Sequence, residues 1–138
     1  MNTYLFSDLK EGMKESFTKE ITLEMEKAFR EISGDENPLH QDDEYAKEAG
    51  YKKHVSFGLL TASLYSTLAG MYLPGKHSLI HSMEIKFIRP VFVGDVLTVS
   101  GVVAGKQEDM KLLRLKVQIV NQDGVCVSKA DMKVLVLK

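Results

Sequence analysis

A single cysteine, Cys126, excludes an intramolecular disulfide framework, so the chain must be held together by its core; Cys126 itself lies in a strand pattern and reads as a packed thiol. No apolar run approaches the length of a membrane span, and the N-terminus MNTYLFSDLKEG lacks a charged start followed by an apolar segment. There is no long basic run, and a formal net charge of −1 gives no field suited to nucleic acid. A Gly-rich phosphate loop and a G-x-S-x-G elbow are both missing. No repeat or linker divides the 138 residues, so one domain spanning 1–138 is expected, cytoplasmic, with neither membrane nor nucleic-acid partner.

What the chain does have is concentrated between Phe29 and Ala46, FREISGDENPLHQDDEYA. A carboxylate, Asp35, and an imidazole, His40, stand at the two ends of a short segment that cannot be ordinary helix. Gly34 is free to take backbone angles closed to other residues, and Pro38 fixes its own φ while holding Asn37 extended. An irregular loop with two acid/base groups at its ends suits the holding of one small molecule, such as a water. Asn37 and Pro38 read as loop-shaping residues, since Asx side chains commonly bind their own backbone in turns.

Around this loop the pattern is helix before it and sheet after it. A short strand is expected over Glu15–Ile21, then a helix capped by Thr22 with Leu23, Met25, Phe29 and Ile32 as its apolar stripe, closed by Gly34. A short helix starts near Asp42 or Asp43 and stops at Gly50. From about Phe57 to Tyr72 runs a helix apolar on nearly every side, which is expected to be wrapped by other structure and ended by Leu73-Pro74-Gly75. Alternation then predicts strands over 79–89, 96–103, 111–120 and 125–137, a meander of four with Asp123-Gly124 as a hairpin turn. Met83, Ile85 and Phe87, then Leu113, Leu115, Val117 and Ile119, then Ala130, Met132 and Val134, are its inward positions. A helix preceding most of a long antiparallel sheet implies an α+β fold in which the sheet curls around the buried helix.

The loop, with an aromatic residue, then Ser-Gly-Asp-x-Asn-Pro-Leu-His and an alanine six residues on, resembles the signature of the MaoC-like (R)-specific enoyl-CoA hydratases. The resemblance continues through GLLTASLYS (Gly58–Ser66), LPG (Leu73–Gly75) and FIRPVFVGD (Phe87–Asp95). It implies the hot-dog fold, a homodimer or higher homo-oligomer, and reversible addition of water across a trans-2-enoyl thioester to give an (R)-3-hydroxyacyl thioester. No cofactor or metal is implied; coenzyme A or acyl carrier protein carries the acyl group. Asp35 and His40 match the catalytic pair, with the division of acid and base roles open because such a pair titrates together. Gly58, at the start of the buried helix, matches an oxyanion residue whose N–H polarises the thioester. Ser66 matches a serine near the acid/base pair, and it reads equally as a small residue that lets the helix pack.

One position departs from the family pattern: the glycine is commonly preceded by His, and here Phe57 stands there. His54, three positions earlier, reads as a solvated neighbour of Lys52 and Lys53. Lys52, Lys53, Lys76, Lys86 and Arg89 are candidate contacts for coenzyme A phosphates, with none singled out. His77 and His81 lie in a strand pattern that spaces them about 13 Å apart, too far to share one zinc. Two other functions use the same fold: an acyl-CoA thioesterase, whose water attacks the carbonyl carbon, and a non-catalytic acyl-thioester-binding protein, prompted by Phe57. The intact Asp-x-Asn-Pro-Leu-His favours the hydratase.

Overall fold

The computed structural model describes all 138 residues. Its strands are β1 (Lys14–Glu20), β2 (Ser78–Phe87), β3 (Val96–Gln107), β4 (Leu112–Val120) and β5 (Cys126–Val136). Its helices are α1 (Leu23–Ser33), α2 (Asp43–Glu48) and α3 (Gly58–Thr67), the last continuing as one π-helical stretch over Leu68–Tyr72. All strands pair antiparallel in one sheet of order β1-β3-β4-β5-β2. β3, β4 and β5 form the expected meander. β2 does not join it in sequence order: it pairs with β5, and the connection after it crosses the sheet to reach β3. Alternation marks a strand's buried face but not its neighbour, because an apolar face fits any edge of the same sheet.

The sheet curls around α3, the hot-dog arrangement. Leu64, Tyr65 and Leu68 of the helix meet Leu113, Leu115, Val117, Ile119, Met132 and Val134 of the strands in one core. Burying each such side chain contributes about 1.5–3 kcal/mol. Gly101 of β3 permits the closest approach: a Cβ there would lie 2.8 Å from Leu68 Cδ2 and 3.1 Å from Val117 Cγ1. Tyr65, wholly buried, donates from its phenol to Ser128 Oγ at 2.8 Å, and Ser128 donates to the Lys86 carbonyl at 2.9 Å. That chain of bonds ties α3 to β5 and β2.

Two expectations need correction. α3 is not covered on every side, since Leu59, Ser63 and Ser66 share one exposed stripe, with Leu59 64% exposed. On α1, Leu23 and Ile32 are exposed, Ile32 at 84%, whereas Glu26 is fully buried. The inner face of α1 is therefore turned toward Glu26 and Phe29. Thr22 caps the helix as expected, its Oγ accepting the Met25 N–H at 3.2 Å, and Gly34 ends it with φ of +72°.

Candidate active site

The loop after α1 is built by its own side chains. Asp35 Oδ1 accepts the Asn37 N–H at 3.0 Å, and Asn37 Oδ1 accepts the Leu39 N–H at 3.0 Å, capping a single 3₁₀ turn over Pro38–His40. Gln41 Nε2 donates back to the Glu36 carbonyl at 2.7 Å and closes the loop. Asn37 and Pro38 thus shape the backbone that delivers His40.

His40 is half-buried, and its surroundings fix its chemistry. Nδ1 lies 2.8 Å from the Val55 carbonyl, which can only accept, so Nδ1 carries a proton and Nε2 is the ring nitrogen left without a partner. The ring packs against Phe57 with centroids 4.3 Å apart. Phe57 packs in turn on Phe29 at 4.9 Å, with the Arg30 guanidinium 5.9 Å from its centroid. Arg30 also donates to the His40 carbonyl at 3.4 Å.

Beside His40 lies a cavity of about 270 Å³, lined by Tyr51, Val55, Ser56, Gly58, Thr61 and the segment Phe87–Val91. Gly58 opens α3, whose first turn has no side-chain cap, and its N–H has no partner within the chain. An unpaired N–H at the positive end of a helix is suited to a developing oxyanion. The Phe87 ring closes over this glycine, and a Cβ at residue 58 would meet Phe87 Cε1 at 3.1 Å. Thr61, one turn on, contributes a buried hydroxyl without a partner. Its position three residues after Gly58 on a helix was a readable signal, as was Ser56 directly before Phe57.

His40 and Gly58 therefore share one cavity, while Asp35 and Ser66 are exposed and off its wall. Arg89 of the candidate cations lines the cavity. Lys52 stacks over Phe92 at 4.4 Å, and Lys53 donates to the Val93 carbonyl at 3.2 Å. Lys86 lies on the outer face of the sheet, in a polar groove with Lys116 and Lys129. His54 is not the solvated residue expected. It is partly buried, with Nδ1 2.6 Å from Asp43 Oδ1, and its backbone N–H donates to the same oxygen at 2.9 Å. It faces α2 and does not replace the imidazole absent at Phe57.

This fold and loop define a hot-dog protein with a candidate site beside His40. The family model described as MaoC like domain matches residues 7–123, and the chain belongs to that family. It is 36% identical to an (R)-specific enoyl-CoA hydratase of Aeromonas caviae over 116 residues, 84% of this chain and 87% of the relative. It is 34% identical to a 3-hydroxybutyryl-CoA dehydratase of Methylorubrum extorquens over 110 residues, 80% of this chain and 70% of the relative. Among solved structures, the (R)-hydratase from A. caviae involved in PHA biosynthesis superposes with a TM-score of 0.88 at 34% identity, covering 93% of this chain and 97% of that one. The unliganded R-hydratase PhaJ1 from Pseudomonas aeruginosa gives 0.90 at 28% identity, covering 97% and 86%.

Proposed function

We propose that this chain is an (R)-specific 2-enoyl-CoA hydratase, a hydro-lyase that also runs in reverse as a 3-hydroxyacyl-thioester dehydratase, acting through one domain over 1–138. The observation that carries the reading is the pairing of His40, its Nδ1 proton committed to Val55, with the unpartnered Gly58 N–H in one cavity. His40 Nε2 takes a proton from water as the water oxygen bonds to Cβ of the enoyl thioester. Gly58 holds the thioester oxygen as it gains enolate character, and the Asp35/His40 pair returns a proton to Cα. The two groups act on one face of the double bond, in keeping with the (R) product of the named relatives.

The protein works as a homodimer in the cytoplasm. The exposed stripe of α3, with Leu59 at its head and Ser66 two turns on, is the surface a second copy covers, and burial there brings Ser66 out of solvent. No helix is long and apolar enough to cross a membrane. Arg89 at the cavity wall contributes charge for a phosphorylated carrier such as coenzyme A.

The test follows loss of the conjugated enoyl-thioester absorbance with crotonyl-CoA, the product being trapped by an (R)-specific or an (S)-specific 3-hydroxyacyl-CoA dehydrogenase. Native turnover to the (R) product, with Asp35→Asn and His40→Ala folded but slower by about 100-fold or more, supports the hydratase. Stable absorbance with release of free thiol assigns the chain to the thioesterases instead. Tight binding without either change makes it a non-catalytic acyl-thioester-binding protein.

A further inference from the structure

Two carboxylates are buried in this chain, Asp95 and Glu26. The turn that contains Asp95 accounts for it: Oδ2 accepts the Phe92 N–H at 2.9 Å and Oδ1 accepts from Gln122 at 3.0 Å. Nothing in the packing of α1 accounts for Glu26. Its side chain is 0% exposed, Oε1 accepts the Ser56 hydroxyl, and Oε2 has no partner. An apolar residue would satisfy the interior there more simply, because a buried carboxylate loses its hydration and only half of this one is repaid.

The residues Glu26 grips are the ones on which the site hangs. Ser56 also donates its N–H to the Val91 carbonyl at 2.7 Å, so the residue is held from α1 and from the far wall of the cavity. The preceding residue, Val55, accepts the His40 Nδ1 proton and donates its own N–H to the Leu39 carbonyl at 2.9 Å. The following residue, Phe57, carries the His40 ring, and the next is Gly58. Phe29 and Arg30, one helical turn from Glu26, press on Phe57 and hold the His40 carbonyl. α1 therefore fixes residues 55–58 and the His40 loop together, and Glu26–Ser56 is a polar link of α1 to that segment. Phe57, which stands where the family pattern commonly has His, has no hydrogen-bonding side chain to serve the same purpose.

We infer that Glu26 is a positioning residue for the proposed hydration. It holds Ser56 so that the Val55 carbonyl keeps the proton on His40 Nδ1 and Gly58 keeps its N–H set against His40 Nε2. The inference rests on the hydratase reading for its kinetic consequence, but the link from Glu26 to the His40 tautomer does not. Small displacements of reacting groups are costly in rate, so the expected loss is about tenfold or more in kcat with KM within about twofold.

The test compares Glu26→Gln, Ser56→Ala and the double variant E26L/S56A in the full-length chain. The double variant removes both partners of the buried bond, which leaves stability close to native, so a loss of rate is not a loss of fold. With crotonyl-CoA, S56A and E26L/S56A lose about tenfold in kcat and their pH–rate profiles shift, while E26Q, which keeps an acceptor oxygen, recovers most of the rate. The imidazole nitrogen NMR signals of His40, identified by their loss in His40→Gln, show the Nδ1–H tautomer in the native chain and a mixture in E26L/S56A. If E26L/S56A does not fold, S56A alone decides. Native kcat and a native tautomer in the folded variants overturn the inference and leave the hydratase reading standing. A shifted tautomer in a chain whose native form has no turnover does the reverse.

Discussion

The phenyl ring of Phe57 lies 4.3 Å from the imidazole of His40, centroid to centroid, with the planes tilted by 31°. An apolar ring thus takes up the space beside His40, 2% exposed and braced by Phe29 and Arg30. His40 keeps one defined hydrogen bond, to Val55, and a face closed to water.

Restoring the commoner family residue should therefore not improve the enzyme. Phe57→His places a polar ring in an apolar pocket, leaves at least one nitrogen unpartnered, and is expected to cost about 1–3 kcal/mol. Urea denaturation measures the loss, and kcat with crotonyl-CoA is expected to stay at or below native.

The tie between α2 and the segment before Phe57 predicts a dependence on acid. Asp43 is held below the usual carboxylate range, first by the His54 backbone N–H and then by its side chain. A lowered carboxylate stabilises the fold above its unfolded pKa of about 3.9, and the contribution disappears as pH falls through the lowered folded value. The gap in Tm between the native chain and Asp43→Asn is expected to be constant at neutral pH and to close progressively below about pH 4. A gap independent of pH counts against the tie.

Tyr65 predicts the opposite limb. Burial pushes its phenol up to about 12, against the lowering effect of its bond with Ser128. A raised phenol favours the fold below the ordinary pKa of about 10 and ceases to do so as pH rises toward the folded value. Tyr65→Phe removes one hydrogen bond at a cost of about 0.5–1.5 kcal/mol near neutral pH. Chemical denaturation between about pH 9 and 12 is expected to show the native chain losing that advantage while the variant declines less.

Gly101→Ala tests the closeness of helix to sheet. The added carbon meets Leu68, which is 0% exposed and has nowhere to retreat. Overpacking of this kind is expected to destabilise by about 1–3 kcal/mol, read as a lower urea midpoint with an unchanged m-value.

The sequence carried the inward faces of β4 and β5 plainly, because Leu113 to Ile119 and Ala130 to Val134 alternate without interruption and strand geometry turns alternation directly into burial. The loop was as plain, since Gly34, Asn37 and Pro38 each constrain their own backbone. The place of β2 was not legible, as pairing with β5 is a choice made between remote segments. Glu26 was hidden for a different reason. In the first turn of a helix a glutamate ordinarily complements the dipole in solvent, and only the position of Ser56, thirty residues away in the chain, withdraws it. Thr61 could be read from its place one turn after Gly58, whereas Arg89 reaches the His40 cavity only through folding, from the strand connection after Phe87.

The Tyr65 phenol reaches through Ser128 to the carbonyl of Lys86, and the next residue, Phe87, roofs Gly58. The helix is thus indexed along its own axis against a single dipeptide of β2, like a bolt against its catch. Sliding α3 by even a fraction of a turn would uncouple the phenol and uncover the glycine together, so the aperture at the head of the helix has its depth set two turns away, in the middle of the core.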